Sequence, residues 1–188
     1  MPGMSPEERV CIYIDGSNFY HYLKDREVAF PFNTGVRFDY KAFADYLVGD
    51  RNTISVRYYT GVFRNVDDSP KSAQLLKGQQ KFLAQLENDG LTVVRGRILY
   101  DGGRPREKGT DVKIAVDLVV GAVDDLYDTA LLIRSDTDLI PALRYVRYRG
   151  KKLEYVGFSH APSFGIQKNV DFTRLLLPSD IEVFKKEG

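Results

Sequence analysis

Residues 10–15 have the sequence VCIYID, an apolar, β-forming run that ends in Asp15 and is followed by Gly16. Similar runs recur along the chain, at residues 54–63, 91–98, 130–133 and 153–158. Helical spacing of apolar residues lies between them, at residues 40–48, 70–89, 112–126 and 139–149. Strands that alternate with helices form right-handed crossovers and parallel sheets. The sequence therefore predicts an α/β fold, a mostly parallel central sheet flanked by helices on both faces.

The segments outside this alternation are predicted to be less regular. We expect loops at residues 21–35 and at the Gly- and Arg-rich residues 101–109, and a helix near residues 164–170 with a short strand over 175–177. The chain shows no internal repeat and no linker. The predicted division is a flexible N-terminus, one domain and a C-terminal tail, at residues 1–9, 10–178 and 179–188.

Composition excludes several classes of protein. The 188 residues carry 27 basic and 26 acidic side chains, so any nucleic-acid partner must be argued from local clustering of charge. A single cysteine, Cys11, rules out an internal disulfide framework and argues against a cysteine-based zinc site. No run approaches the roughly 18 apolar residues of a membrane span. We therefore expect a cytoplasmic protein with no membrane partner.

Aspartates follow the predicted strands at the point where each strand ends. Asp15 closes the first strand, Asp136 and Asp138 follow residues 130–133, and Asp111 opens a helix. The carboxyl ends of parallel strands meet at one edge of a sheet, so we expect these side chains to converge. Carboxylates without His or Cys suit Mg²⁺ or Mn²⁺, and a cation would relieve their mutual repulsion. The sequence thus predicts a divalent metal site.

Each of these polar residues also has a structural interpretation. Asp136 or Asp138 is suited to cap the helix that follows, which does not exclude metal binding. Asn18 fits capping and site chemistry equally well. Asp117 lies four residues after Lys113, so an ion pair within the helix competes with ligation.

Three blocks of this sequence resemble the signature blocks of NYN domains, at residues 14–18 (IDGSN), 108–117 (KGTDVKIAVD) and 131–143 (LLIRSDTDLIPAL). NYN domains belong to the PIN-like nuclease superfamily, and the bacterial LabA-like proteins look closest. The resemblance implies a PIN-like fold and metal-dependent ribonuclease chemistry. The family's acidic site would map onto Asp15, Asp111, Asp136 and Asp138, with Asn18 beside them.

The sequence departs from the family pattern just before Asp136. NYN domains usually have a small Ser-Gly pair there, and this chain has Arg134-Ser135. A long cation at this position could hold a phosphate of the substrate. It could instead pair with an aspartate and weaken metal binding.

An RNA substrate also needs cations near the site. The candidates lie in the predicted loop before Asp111, beside Asp136 and on the helix after Asp138: Arg104, Arg106, Lys108, Arg134, Arg144 and Arg147. The loop leads directly into Asp111, which favours contact with RNA phosphates. For the two helical arginines, a solvated polar surface is an equal alternative.

The function predicted from sequence is a ribonuclease in which a metal-activated water cleaves RNA phosphodiester bonds. His21 and His160 lie outside the three blocks, and Ser17 has no evident His partner, so His- or Ser-based catalysis lacks support. The alternative is a weak or inactive NYN-fold regulator that binds RNA or a protein; a homo-oligomer stays open. We expect Asp15→Asn and Asp136→Asn to abolish cleavage and to raise stability by relieving repulsion.

Overall fold

Nine strands and seven α-helices make up the computed structural model, which describes residues 7–25, 36–63, 69–101 and 104–187. The strands are β1 (Arg9–Asp15), β2 (Val36–Phe38), β3 (Asn52–Val62), β4 (Thr92–Asp101), β5 (Arg104–Lys108), β6 (Thr129–Ile133), β7 (Lys152–Phe158), β8 (Phe172–Leu176) and β9 (Lys185–Glu187). The helices are α1 (Gly16–Asp25), α2 (Tyr40–Val48), α3 (Pro70–Asn88), α4 (Thr110–Val123), α5 (Ile140–Tyr148), α6 (Phe164–Gln167) and α7 (Pro178–Glu182), with a 3₁₀ turn at Thr137–Leu139.

Seven of these strands form the central sheet, in the order β5-β4-β3-β1-β6-β7-β8. All neighbours are parallel except β4 and β5. The chain builds outward from β1 through β3 to β4, then returns to β6 on the other side of β1 and builds outward again. Ligand sites of open α/β sheets lie at such a switch in strand order. The mostly parallel α/β fold predicted from the sequence is confirmed.

Two apolar cores cover the two faces of this sheet. Side chains of a strand point alternately to opposite faces, so Ile12 and Ile14 lie in one core and Cys11 and Tyr13 in the other. The first core receives buried side chains from α1, α2 and α3: Phe19, Leu23, Phe43, Leu47, Leu83 and Leu86. The second receives them from α4 and α5: Ile114, Leu118, Leu143 and Val146.

The first predicted loop begins as a helix. Residues 21–25 complete α1, and residues 26–35 lie outside the described part of the chain. Phe19 and Leu23 are four residues apart and fully buried, so they anchor α1 on the sheet. Tyr22 is buried with them, so three apolar side chains at helical spacing anchor this helix, and the sequence-based prediction of a loop from residue 21 overlooked that spacing.

The second predicted loop, residues 101–109, is mostly strand. β4 continues to Asp101, and β5 returns beside it with Arg97 opposite Lys108. In the sequence, Gly102-Gly103 between two such runs is a hairpin signal. The sequence-based prediction missed this hairpin because β5 is polar in composition, and an edge strand needs little apolar surface.

The C-terminal residues belong to the fold rather than to a tail. Ile181 of α7 is fully buried in the first core, and β9 pairs antiparallel with β2. The helix predicted near 164–170 is shorter, and the strand predicted at 175–177 starts earlier, at Phe172. Residues 1–6 lie outside the described residues, and Arg9 already belongs to β1. Within the described chain, no helix is long and apolar enough to cross a membrane.

Candidate aspartate site at the carboxyl edge of the sheet

Asp15 ends β1 and caps the helix that follows it. Its Oδ1 accepts a hydrogen bond from the backbone N–H of Asn18 at 3.1 Å, and its Oδ2 accepts one from the Asn18 side chain at 2.8 Å. The sharp turn into α1 requires Gly16, because a Cβ there would lie 2.5 Å from the backbone oxygen of Tyr59. Asp15 is only 3% exposed, and this burial raises the pKa of its carboxyl group.

Arg134 lies at the centre of the site. Ile14 of β1 is opposite Ile133 of β6, so Asp15 and Arg134 follow at the same level of the sheet. The Arg134 side chain is 1% exposed. Its Nη1 lies 3.1 Å from Asp15 Oδ2 and donates to Asp111 Oδ1 at 2.7 Å. The guanidinium group therefore lies between carboxylates that come from two different elements.

The same guanidinium also holds Asp136. Its Nη2 lies 3.5 Å from Asp136 Oδ2, and its Nε donates to the backbone oxygen of Asp136 at 3.2 Å. Asp136 occupies the cap position of the 3₁₀ turn, but its side chain makes no capping hydrogen bond. The cap predicted from the sequence is therefore not formed by Asp136, whose carboxylate faces the site instead.

The outer rim of the site is acidic and open to solvent. The side chains of Asp111 and Asp136 are 56% and 60% exposed, and Asp138 on the 3₁₀ turn is exposed as well. Each of the first two keeps one carboxylate oxygen that accepts no hydrogen bond from a described residue, and Asp138 keeps both. The rim thus offers oxygen ligands on its solvent side.

Asn18 links the ends of the two central strands. Its side-chain nitrogen donates to Asp15 and also to Asp136 Oδ2, at 3.3 Å. The Ser135 hydroxyl donates to the Asn18 side-chain oxygen in a short hydrogen bond. The sequence left two roles open for Asn18, capping and site chemistry. Asp15 caps α1, and the side-chain amide of Asn18 orients two aspartates of the site.

Glu107 is part of the site and was not predicted. Its carboxylate accepts short hydrogen bonds from the hydroxyl groups of Ser17 and Thr110, which lie at the starts of α1 and α4. Close approach of Thr110 to the sheet requires Gly96, since a Cβ there would collide with its hydroxyl oxygen. Glu107 thereby joins the β4–β5 hairpin to the two helices that carry Asn18 and Asp111. If residues 104–108 had been interpreted as a strand, the alternation of its side chains would have placed Glu107 on the face opposite Arg106 and Lys108.

Asp117 does not join the cluster. Its Oδ2 accepts hydrogen bonds from the Tyr59 hydroxyl at 2.7 Å and from Arg57 at 3.0 Å. The alternative ion pair with Lys113 is not formed either, because that ammonium donates to the backbone oxygen of Arg95. Asp117 therefore stabilises the packing of α4 on β3.

Besides Arg134, which pairs with aspartates of the site, the predicted RNA-binding cations fall into two groups. Arg144 and Arg147 on α5 hold the segment before β8, through Asn169 Oδ1 at 2.9 Å and Asp171 Oδ1 at 2.9 Å. Arg106 and Lys108 are exposed on β5, where alternation places them on the strand face opposite Glu107. The side chain of Arg104 lies outside the described residues. The hairpin therefore presents two exposed cations beside the site.

These side chains suit a divalent metal in ligand type. The rim oxygens of Asp111, Asp136 and Asp138 are hard donors of the kind that Mg²⁺ and Mn²⁺ prefer. As they stand, no group of three acidic, His or Cys side chains in the described residues is spaced to hold an ion. The guanidinium group of Arg134 lies between three of the carboxylates.

A solved structure has the same fold along nearly the whole chain. The crystal structure of a protein of unknown function from Vibrio parahaemolyticus superposes with a TM-score of 0.66 at 22% sequence identity. The match covers 93% of this chain and 96% of that one. No curated protein is similar enough in sequence to be counted as a relative.

The family model for the NYN domain matches residues 9–176. That interval spans β1 to the end of β8, and it contains the three blocks that resemble NYN signatures as well as Arg134. The finer resemblance to LabA-like proteins stays a prediction. The chain therefore belongs to the NYN domain family, within the PIN-like superfamily.

Proposed function

We propose that this protein is a ribonuclease that cleaves RNA phosphodiester bonds at the aspartate site, meaning Asp15, Asp111, Asp136 and Asp138. One observation carries the proposal. Side chains from β1, α4 and the end of β6 converge at the switch in strand order, with buried Asp15 behind and exposed Asp111 and Asp136 in front. Membership of a nuclease-like family supports RNA as the substrate.

Mg²⁺ or Mn²⁺ is the proposed cofactor. Asp111, Asp136 and Asp138 would hold it at the solvent side of the site, with Asp15 behind them. A bound divalent ion would supply Lewis acidity at the scissile phosphate and a lowered pKa for the attacking water.

The chain's own residues would orient this site and bind the substrate. Asn18 fixes the Asp136 carboxylate against Asp15 through its two hydrogen bonds. Glu107 fixes the start of α4 and hence Asp111. Arg106 and Lys108 on the hairpin would attract the RNA backbone without reading its sequence, since cations that contact phosphates position the strand rather than specify it.

Cleavage of end-labelled single-stranded RNA tests the proposal. We expect cleavage with Mn²⁺ or Mg²⁺ and none in EDTA. Asp136→Asn should abolish cleavage with little change in stability, because this side chain is 60% exposed. Asp45→Asn is the matched control, since Asp45 is an exposed aspartate paired with Lys41 on α2. Cleavage that survives EDTA, or full activity in Asp136→Asn, would contradict a metal-dependent aspartate site.

A second candidate is a catalytically inactive NYN-fold protein that binds RNA or a protein partner. The buried guanidinium of Arg134 favours it, because three of the four aspartates already have a cation. In that case RNA binding would persist in EDTA, and neither Mn²⁺ nor Mg²⁺ would produce cleavage. The same RNA assay, combined with a binding measurement, separates the two functions.

A further inference from the structure

We infer that Arg134 is a built-in counter-cation that competes with divalent metal for the aspartate site. The inference rests on the proposed function only in taking these aspartates as the ligands of the metal. It concerns the regulation of metal affinity by a residue of the chain itself.

The competition is for particular oxygen atoms. Nη1 of Arg134 lies 3.1 Å from Asp15 Oδ2 and 2.7 Å from Asp111 Oδ1. An ion shared by these two carboxylates would need the same oxygens and the same space between them.

Burial makes the guanidinium a persistent competitor. At 1% exposure its charge is little screened by solvent, and it repels a second cation more strongly than a surface arginine would. To leave the site, it would have to exchange charged hydrogen bonds for water. The exposed oxygens of Asp111 and Asp136 remain available, but the inner ligands are taken. We therefore expect the protein to bind divalent metal weakly, at the rim alone.

A metal titration without RNA tests this inference. Mn²⁺ binding would be measured by calorimetry, and by the loss of the free-ion signal in electron paramagnetic resonance, for the protein and for Arg134→Ser. We expect Arg134→Ser to bind Mn²⁺ about tenfold more tightly or better, because one unit of repelling charge is gone from the site. Adding Asp15→Asn to that variant should lower the affinity again.

Arg57→Ser is the matched control. Arg57 also pairs with an aspartate of α4, at 3.0 Å, but that residue is Asp117, outside the cluster. The control should bind Mn²⁺ like the unaltered protein. If Arg134→Ser does not fold, Arg134→Gln replaces it, since its amide can still donate to one carboxylate, and the same increase in affinity is expected.

Two outcomes would overturn the inference: equal Mn²⁺ affinity with and without Arg134, or no Mn²⁺ binding by either folded Arg134 variant. Failure of the proposed function is distinguishable from these. A variant that gains Mn²⁺ affinity but leaves RNA uncleaved would uphold the competition and reject the ribonuclease. If the unaltered protein cleaves RNA and Arg134→Ser does not change the Mn²⁺ affinity, the ribonuclease is upheld and the competition is rejected.

Discussion

Replacing Arg134 by methionine removes the only cation that contacts Asp15 among the described residues. Methionine has similar length and can fill the same buried space, so the main loss is electrostatic. Asp15 would be left as a buried charge whose side chain is 5% exposed. Such an uncompensated charge is strongly destabilising, whereas replacing both partners together is often tolerated.

The expected loss of stability in Arg134→Met follows from how exposed its three partners, Asp15, Asp111 and Asp136, are. Removing one partner of a buried ion pair costs about 3–5 kcal/mol, and Asp15 is such a partner. The exposed pairs with Asp111 and Asp136 add well under ~1 kcal/mol each. Against a typical stability of roughly 5–15 kcal/mol, Arg134→Met should lose about a third of the total. The melting temperature should fall by roughly 6–20 °C.

Urea denaturation in EDTA, followed by far-ultraviolet circular dichroism, measures this loss. The double variant Arg134→Met with Asp15→Asn should be more stable than Arg134→Met alone, because the unpaired charge is gone. Arg147→Met is the control: its pair with Asp171 is exposed, and the loss should stay below about 1 kcal/mol.

The single variant Asp15→Asn should lose stability rather than gain it. Sequence reasoning predicted a gain in stability from relieved repulsion, but Arg134 already neutralises that repulsion at 3.1 Å. Asparagine has one acceptor oxygen, so it cannot accept both from the Asn18 backbone N–H at the Oδ1 position and from the Asn18 side chain and Arg134 at the Oδ2 position. We now expect a loss of about 1–3 kcal/mol.

The pH dependence gives an independent check. Burial raises the pKa of Asp15 in the folded protein, so the unfolded chain releases this proton first and stability falls as pH rises between the two pKa values. Without Arg134 the folded pKa rises further, and the fall in stability becomes larger. The loss in free energy of unfolding caused by Arg134→Met should therefore become smaller as pH is lowered from neutral toward the pKa of an ordinary aspartate. A deficit that is constant with pH, or that Asp15→Asn fails to reduce, would refute the assignment of the loss to Asp15.

Three further variants test other parts of the structure. Asp117→Asn should cost about 1–2 kcal/mol by weakening the hydrogen bond to Tyr59, and should leave RNA cleavage and Mn²⁺ binding unchanged. Changing Arg106 and Lys108 together to Ala should weaken RNA binding and flatten its dependence on salt by up to about one unit of slope per lost phosphate contact; an unchanged slope would place the RNA elsewhere. Gly16→Ala should cost about 1–3 kcal/mol in thermal unfolding, because its Cβ would lie 2.5 Å from the Tyr59 backbone oxygen, and a neutral result would mean that the turn can relax.

The fold was predictable because apolar periodicity reports directly on burial. The five strands predicted at residues 10–15, 54–63, 91–98, 130–133 and 153–158 all appear in the sheet. The β5 strand was missed because it is short and polar, whereas α1 carries three buried apolar side chains at helical spacing, Phe19, Tyr22 and Leu23, which the prediction of a loop overlooked. The apolar pattern of a strand is weakest where the strand lies at the edge of a sheet.

The site was predictable in outline but not in its centre. The rule that parallel strands end at one edge brings Asp15 and Asp136 together, and the structure places both beside Arg134. Sequence alone left open whether the arginine would hold a phosphate or an aspartate. That choice depends on the direction of a long side chain, which residue spacing does not determine. Glu107 was missed because residues 104–108 were not interpreted as a strand and because Ser17, one of its two partners, comes from a distant part of the chain.

In the competition proposed above, the position of Arg134 couples the stability of the fold to its affinity for metal. A buried carboxylate such as Asp15 needs a positive partner, and in a site that depends on metal the ion would be that partner. Here the adjacent strand supplies the cation, at the residue after Ile133, so folding does not require metal to neutralise Asp15. The same charge that stabilises the metal-free fold opposes the binding of an ion to the inner oxygens. Substitutions at Arg134 should therefore move the two properties in opposite directions, because both depend on one guanidinium among the same three aspartates.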